Sequence, residues 1–229
     1  MTDIVAEVGL LLCYGGTFDP VHAGHLAIAR AARDELGVPV HLVPAADPPH
    51  RPAPGADAAQ RARMLALAIE GEAGLQLDLR ELRRAQRLDR PSYTIDTLDE
   101  LRAECGPRRP IAWLLGADSF AALPQWHRWE SLLALAHLVI ADRPGSPIEA
   151  GLQPALAARV QGRWAEVPAA LSRQPAGCLW RLHQPLRPES ASEVRARIAA
   201  GGHWRELVPP AVAGFIAAEG LYGYNEPSA

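Results

Sequence analysis

The chain has 229 residues, 48% of them hydrophobic and 21% charged, values that fit a globular polypeptide and exclude a disordered one. Its 26 acidic and 23 basic residues leave a formal charge of −3, so the overall electrostatics favour neither a nucleic acid polymer nor a membrane surface, and any polyanion must be met locally. Lysine is absent, and arginine must serve wherever a cation is needed. Cys13, Cys105 and Cys178 are odd in number and lack CxxC spacing, which argues against a disulfide framework or a zinc knuckle and for buried thiols in a reducing cytoplasm. The first eight residues carry Asp3 and Glu7 without a basic stretch, and the apolar run Leu10 to Cys13 is too short to span a bilayer. A soluble cytoplasmic protein is expected.

Short apolar runs alternate with helical patterns along the chain, the mark of an α/β fold in which a parallel sheet carries helices on both faces. A first strand is expected over Gly9 to Tyr14. A helix follows over Gly24 to Leu36, with Leu26, Ile28, Ala29, Ala32 and Leu36 inward and Gly37 as its stop. Val40 to Val43 reads as the second strand, Asp57 to Ile69 as a helix, and Leu75 to Asp78 as the third strand. Beyond a basic stretch from Arg80 to Arg90, a helix begins near Ser92, its candidate cap, and turns Ile95, Leu98 and Leu101 inward. Ile111 to Leu115 and His137 to Ala141 are the fourth and fifth strands, separated by a helix over Ser131 to Ala136. Ser146 to Ala176 is rich in Ala, Pro and Gln with poor periodicity and reads as a peripheral insertion. Cys178 to Leu182 adds a possible strand, and helices over Ser192 to Ala200 and Pro210 to Glu219 close the chain, Pro210 suiting a first turn. With no repeat or linker in view, residues 1–229 are expected to form one domain, the last two helices lying within 190–222.

Chemistry concentrates first in Gly15-Gly16-Thr17-Phe18-Asp19-Pro20-Val21-His22-Ala23-Gly24-His25. Glycines after a strand let backbone N–H groups approach a ligand, and the opening of a helix favours phosphate. His22 and His25 are spaced to share one side of the first turn, near the positive end of the helix dipole. A Walker-type loop is excluded, because no GK[ST] follows. A second segment, Ser190-Ala191-Ser192-Glu193-Val194-Arg195, offers hydroxyls and a guanidinium at a helix start. Alone it is no more than a capped helix.

Together these segments resemble the HxGH and SxSxxR signatures of the nucleotidyltransferase superfamily. Pro48-Pro49-His50-Arg51, Arg90 to Thr94, Gly116 to Ser119, Trp126 and Leu207 to Pro210 extend the likeness toward the bacterial nicotinate-nucleotide adenylyltransferases over nearly the whole chain. The resemblance implies a Rossmann-like sheet and transfer of AMP from ATP to nicotinate mononucleotide, giving deamido-NAD and pyrophosphate, with Mg²⁺ accompanying the ATP and no metal held by the protein alone. His22, His25 and Arg195 would then be catalytic. Gly15, Gly16, Thr17, Phe18, His50, Ser190 and Ser192 would join them around ATP. Arg51, Ser92, Tyr93, Thr94, Asp118, Trp126 and Arg143 would hold the acceptor, with Trp126 stacked on the pyridine ring and Asp118 on a ribose hydroxyl. Taken singly, Trp126 reads equally well as a core residue and Asp118 as a helix cap. Related transferases using nicotinamide mononucleotide or pantetheine phosphate, and a nucleotide-binding regulatory module without turnover, are the alternatives. Two departures from the family pattern stand out: Glu189 where an apolar residue is usual, and Asp142 where an arginine is frequent.

Overall fold

The computed structural model describes residues 9–46, 55–88, 91–142, 148, 152–185 and 187–225. Within them six strands, β1 (Leu11–Gly16), β2 (Val40–Pro44), β3 (Leu75–Leu77), β4 (Ile111–Gly116), β5 (His137–Ala141) and β6 (Leu179–Leu182), form one sheet in the order β3-β2-β1-β4-β5-β6. Every neighbouring pair is parallel. The winding direction reverses between β1 and β4, where Leu11 pairs with Ile111 and Tyr14 with Leu114. In a sheet of this kind, the crevice beyond the carboxyl ends at that reversal is where a ligand fits. The expected α/β fold with a parallel sheet is the one observed.

The helices are α1 (Ala23–Leu36), α2 (Ala58–Ile69), α3 (Arg80–Leu88), α4 (Thr94–Cys105), α5 (Ala117–Ala121), α6 (Leu132–Leu135), α7 (Pro154–Val160), α8 (Ala191–Ala199) and α9 (Pro210–Ala218). Alternation along β1 explains why they cover both faces, since successive strand residues point to opposite sides. Leu12 and Tyr14 pack with Leu26, Ala29, Met64, Leu65, Val212 and Ile216. Leu11 and Cys13 pack on the other side with Ile95, Leu98, Leu101 and Phe120. Burying each Leu, Ile, Val, Met or Phe among them is worth roughly 1.5–3 kcal/mol. Local signals set the helix ends. Gly37, at φ 65°, closes α1 by donating its N–H to Arg33 O at 2.9 Å. Asp57 opens α2 through reciprocal bonds with Gln60, of 2.8 and 3.0 Å.

Four expectations need correction. The first strand is shifted, so that Gly15 and Gly16 end β1 and pair with Val43 and Pro44 instead of belonging to the turn. The basic stretch is mostly the helix α3, missed because its buried positions are the charged Glu81 and Arg84 beside Leu82. The segment read as a peripheral insertion supplies Leu156, Val160 and Leu171 to the cores; each comes from a short helical turn, so no period could develop. Finally, only Cys13 of the three thiols is fully buried, while Cys105 and Cys178 are half-buried. Burial pushes the Cys13 thiol up to about 12, which leaves it protonated and inert.

His137, also fully buried, carries a stability consequence. Its Nδ1 accepts the Cys178 amide at 3.0 Å while Nε2 donates to Gln174 O at 2.9 Å, a pattern that only the neutral ring satisfies. Burial lowers its pKa from the ordinary 6.5. Below that value the unfolded chain binds a proton that the folded one refuses. The contribution is therefore complete above pH 6.5 and is lost as pH falls toward the depressed native value, at up to about 1.4 kcal/mol per pH unit. Denaturant titrations of the protein and a His137→Gln variant should differ in slope over this range. Parallel pH profiles would show that another group is responsible.

Candidate active site

A cleft of about 640 Å³ opens at the carboxyl ends of β1 and β4, a size suited to a nucleotide. Its floor is set by one close approach: a Cβ on Gly15 would lie 2.0 Å from Trp113 Cζ2. Glycine at this position lets the β4 indole cross beneath the cleft, so Trp113 is both core and floor. Phe18 takes φ 51° in the turn that follows. Its buried ring meets Tyr14 edge-on at 5.4 Å and His25 at 5.0 Å. Phe18 supports the turn through these contacts and also lines the cleft.

His22 is the N-cap residue of α1, and its backbone N–H donates to Nδ1 of His25 at 3.3 Å. That bond needs the Nδ1 lone pair, so the proton of the neutral His25 ring sits on Nε2 and makes it a donor. The two rings stack with centroids 3.7 Å apart and planes inclined by 34°. Gly24 makes room for this arrangement, since a Cβ there would come within 3.0 Å of the His22 ring. Both histidines line the cleft, as their spacing on one turn implied.

From the far end of the chain, α8 brings the second signature to the same cleft. Ser190 caps the helix by accepting the Glu193 amide at 3.1 Å, and its Oγ lies 3.1 Å from that of Ser192. The helix begins at Ala191, one residue before the expected start at Ser192. Arg195 Nη1 donates to Asp19 O at 2.6 Å, joining the two signature segments directly. Asp19 itself is 5% exposed. Its carboxylate accepts the amides of Gly55 and Ala56 at 2.9 and 3.1 Å and the Tyr222 hydroxyl at 2.8 Å. Arg61, fully buried on α2, donates to Thr17 O at 2.9 Å, to Ala45 O at 2.6 Å and to the carbonyls of Ala46 and Ala56. Neither Asp19 nor Arg61 was singled out from sequence as a site residue. The Asp-Pro step inside the first signature is the one signal for Asp19, and a single arginine in a helical pattern gives none for Arg61.

The opposite wall is built around the start of α4, and here the expected residues divide. Thr94, Asp118 and Trp126 line the cleft. Asp118 lies in the first turn of α5, whose cap is Gly116, which removes the cap reading of Asp118. Tyr93 is absent from the lining, because its ring packs 4.6 Å from that of His127. Ser92 borders the cleft without capping α4: its hydroxyl accepts from Arg84 at 2.6 Å, and the cap position belongs to Tyr93. Arg84 also reaches Thr97 at 2.5 Å and Glu100 at 2.6 Å, while Thr97 donates to Glu81 at 2.7 Å. Burial pushes the Glu81 carboxyl up. The helix start is thus underlain by a buried polar network invisible in the sequence pattern. The first intrahelical bond runs from Thr97 N to Tyr93 O at 3.2 Å, so the amides of Thr94 to Asp96 precede it and offer the donors of a helix N-terminus.

His50, Arg51 and Arg143 lie outside the described residues. Glu189 pairs with Arg187 at 2.6 Å at the cleft margin, which balances the charge that the sequence departure introduces there. At the other departure, Asp142 offers its backbone carbonyl to Gln184 Nε2 at 2.8 Å. Among the described residues, no group of three or more His, Cys, Asp or Glu is placed to hold a metal ion, and no helix is long and apolar enough to cross a membrane. Chemically, the cleft gathers imidazole, guanidinium, hydroxyl and backbone donors from both ends of the chain, an inventory for binding and stabilising phosphoryl oxygens.

Comparison with known proteins points the same way. A family model described as cytidylyltransferase-like matches residues 13–197. A protein of Stenotrophomonas maltophilia named probable nicotinate-nucleotide adenylyltransferase is 63% identical over 221 residues, spanning 96% of this chain and all of that protein. One of the same name from Xylella fastidiosa strain M12 is 53% identical over 217 residues, with 95% and 98% covered. The solved Plasmodium falciparum nicotinic acid mononucleotide adenylyltransferase, complexed with NaAD, superposes with a TM-score of 0.71 at 16% identity, covering 95% of this chain and 98% of that one. At that identity the likeness speaks for the fold.

Proposed function

Because the chain belongs to the cytidylyltransferase-like family, and within it to the nicotinate-nucleotide adenylyltransferases, we propose that it transfers AMP from ATP to nicotinate mononucleotide, forming deamido-NAD and pyrophosphate in NAD biosynthesis in the cytoplasm. The observation that carries the reading is the meeting of His22 and His25 with Ser192 and Arg195 in one cleft. The acceptor's phosphate oxygen attacks the α-phosphorus in line, and the bond from that phosphorus to the bridging oxygen breaks. Pyrophosphate departs with the electron pair. An acceptor phosphate is already ionised near neutrality, so the site needs no general base. Its contribution is position and charge stabilisation.

His22 and His25 hold α- and β-phosphate oxygens, with the backbone of Gly15, Gly16 and Thr17 beneath them. Ser190, Ser192 and Arg195 face the departing pyrophosphate, and His50 joins them by resemblance. Mg²⁺, bound mainly by the nucleotide and water, neutralises triphosphate charge when present. On the acceptor side, Thr94 and the α4 N-terminus meet the pyridine carboxylate, Asp118 a ribose hydroxyl, and Arg51 and Arg143 the acceptor by resemblance. Ser92 and Tyr93 act behind this surface by fixing the helix start. Pyrophosphate release with ATP and nicotinate mononucleotide tests the proposal directly. Turnover only with nicotinamide mononucleotide or pantetheine phosphate, or binding without turnover, would overturn it.

Trp126 lines the cleft and also touches the second core, so its two sequence readings merge. Stacking on a pyridine ring contributes roughly 0.5–1.5 kcal/mol beyond buried area. Trp126→Ala should therefore raise KM for nicotinate mononucleotide about 2- to 13-fold and leave KM for ATP nearly unchanged. Equal loss of both substrates, or an unfolded variant, would assign the indole to the core alone.

A further inference from the structure

We propose that Asp19 and Tyr222 form a latch that positions Arg195 for the pyrophosphate end of the nucleotide, making the C-terminal turn Leu221–Gly223 part of the working site; the assignment rests on the function proposed above. A carboxylate beside a triphosphate site is at first sight a liability, since its charge opposes the ligand. Asp19 avoids that penalty by being saturated. Two backbone amides and the Tyr222 hydroxyl occupy its oxygens, and Arg195 Nη1 stands 3.5 Å from Oδ2 while bonding the residue's own carbonyl at 2.6 Å. The guanidinium is thereby held through one nitrogen. Its Nε and Nη2, which bond no described residue, remain for the cleft that Arg195 lines.

The Tyr222 side of the latch is specifically built. Tyr222 adopts φ 59° and ψ 26°, a left-handed conformation uncommon for a residue with a bulky side chain. That backbone turn carries its hydroxyl to Asp19, 203 positions earlier in the chain. Gly55 lies flat against the ring, where a Cβ would come within 2.9 Å of Tyr222 Cδ1. Burial, reinforced by the Asp19 charge, pushes the phenol's pKa up, so it remains a donor at any working pH. A long side chain fixed before the ligand arrives loses less conformational freedom on binding. The latch supplies that preorganisation to Arg195, so Tyr222 and Asp19 are positioning residues.

Calorimetric binding of inorganic pyrophosphate isolates this role from turnover. Tyr222→Phe deletes one hydroxyl and is expected to weaken pyrophosphate binding and lower kcat by about tenfold each, with KM for nicotinate mononucleotide unchanged. In an Arg195→Ala background, where the histidines and helix amides carry the residual binding, adding Tyr222→Phe should change pyrophosphate affinity less than about twofold, because the two substitutions remove one interaction. Additive losses would give Tyr222 a separate structural role and overturn the latch. So would full pyrophosphate affinity in Tyr222→Phe, or no pyrophosphate binding by the unsubstituted protein. Coupled pyrophosphate binding without turnover of ATP and nicotinate mononucleotide would retain the latch and reject the proposed reaction.

Discussion

Alanine at position 25 is expected to lower kcat about 100-fold or more while KM for ATP stays within a few-fold. The asymmetry follows from where the His25 donor acts. The His22 amide holds Nδ1, which leaves the proton on Nε2 and fixes the ring before any nucleotide binds. A donor so fixed strengthens its bond as charge accumulates on the phosphoryl oxygens, and only interactions that are stronger in the transition state accelerate the step. The substitution also removes the ring stacked on His22 and the edge contact with Phe18. Part of the loss could therefore come from a displaced His22. Measuring kcat and KM for both His22→Ala and His25→Ala, each first shown to be folded, separates these contributions. A folded His25→Ala protein with unchanged kcat would remove the catalytic assignment.

The phosphate side of this cleft was legible in the sequence because its chemistry is local. Glycines, His22 and His25 lie within one strand-to-helix junction, where a cap residue and the residue three positions after it face each other. The second signature needed more, since Ser192 and Arg195 alone describe a capped helix. What the sequence could not supply was the contact between them, formed through Asp19 O and Arg195 by residues 176 positions apart. The Tyr222 hydroxyl belongs to the same class: nothing in Leu221 to Gly223 suggests a polar partner near the other end of the chain. Such pairings are fixed by the winding of the sheet, which places the start of α1, the start of α8 and the closing turn at one edge.

The acceptor side was less legible for a different reason. Hydrophobic periodicity finds helices whose inward face is apolar, and α3 inverts that rule by burying Glu81 and Arg84. Without α3, Ser92 looked like a free cap, whereas its hydroxyl is committed to Arg84. Tyr93 was placed at the ligand because it precedes the helix, but an extended residue next to a helix start directs its side chain by its own dihedrals. Those dihedrals, φ −111° and ψ 151°, go with a ring packed on His127. The strands and the inward faces of α1, α2 and α4 were readable because they bury apolar side chains at a regular period.

The enzyme is expected to prefer nicotinate mononucleotide to nicotinamide mononucleotide by about 10- to 150-fold in kcat/KM, the equivalent of 1.5–3 kcal/mol for a charge-assisted bond replaced by a mismatched one. The donors are the amides of Thr94 and Ile95 at the start of α4, which precede its first intrahelical bond and carry the positive partial charge of a helix N-terminus. A carboxylate offers them two acceptor oxygens. A carboxamide presents an NH₂ group in one of those places. Opposing charge limits the gain: Asp96 stands in the first turn and accepts the Tyr93 amide at 3.4 Å, and one turn further along α4 the Glu100 carboxylate is paired with Arg84 at 2.6 Å and with Arg80 at 3.9 Å. The lower half of the range is therefore the better expectation. The check is kcat/KM for both nucleotides at the same ATP and Mg²⁺ concentrations. Equal values, or a preference for the amide, would show that the helix start does not read a carboxylate and that acceptor recognition rests instead on the ribose and phosphate.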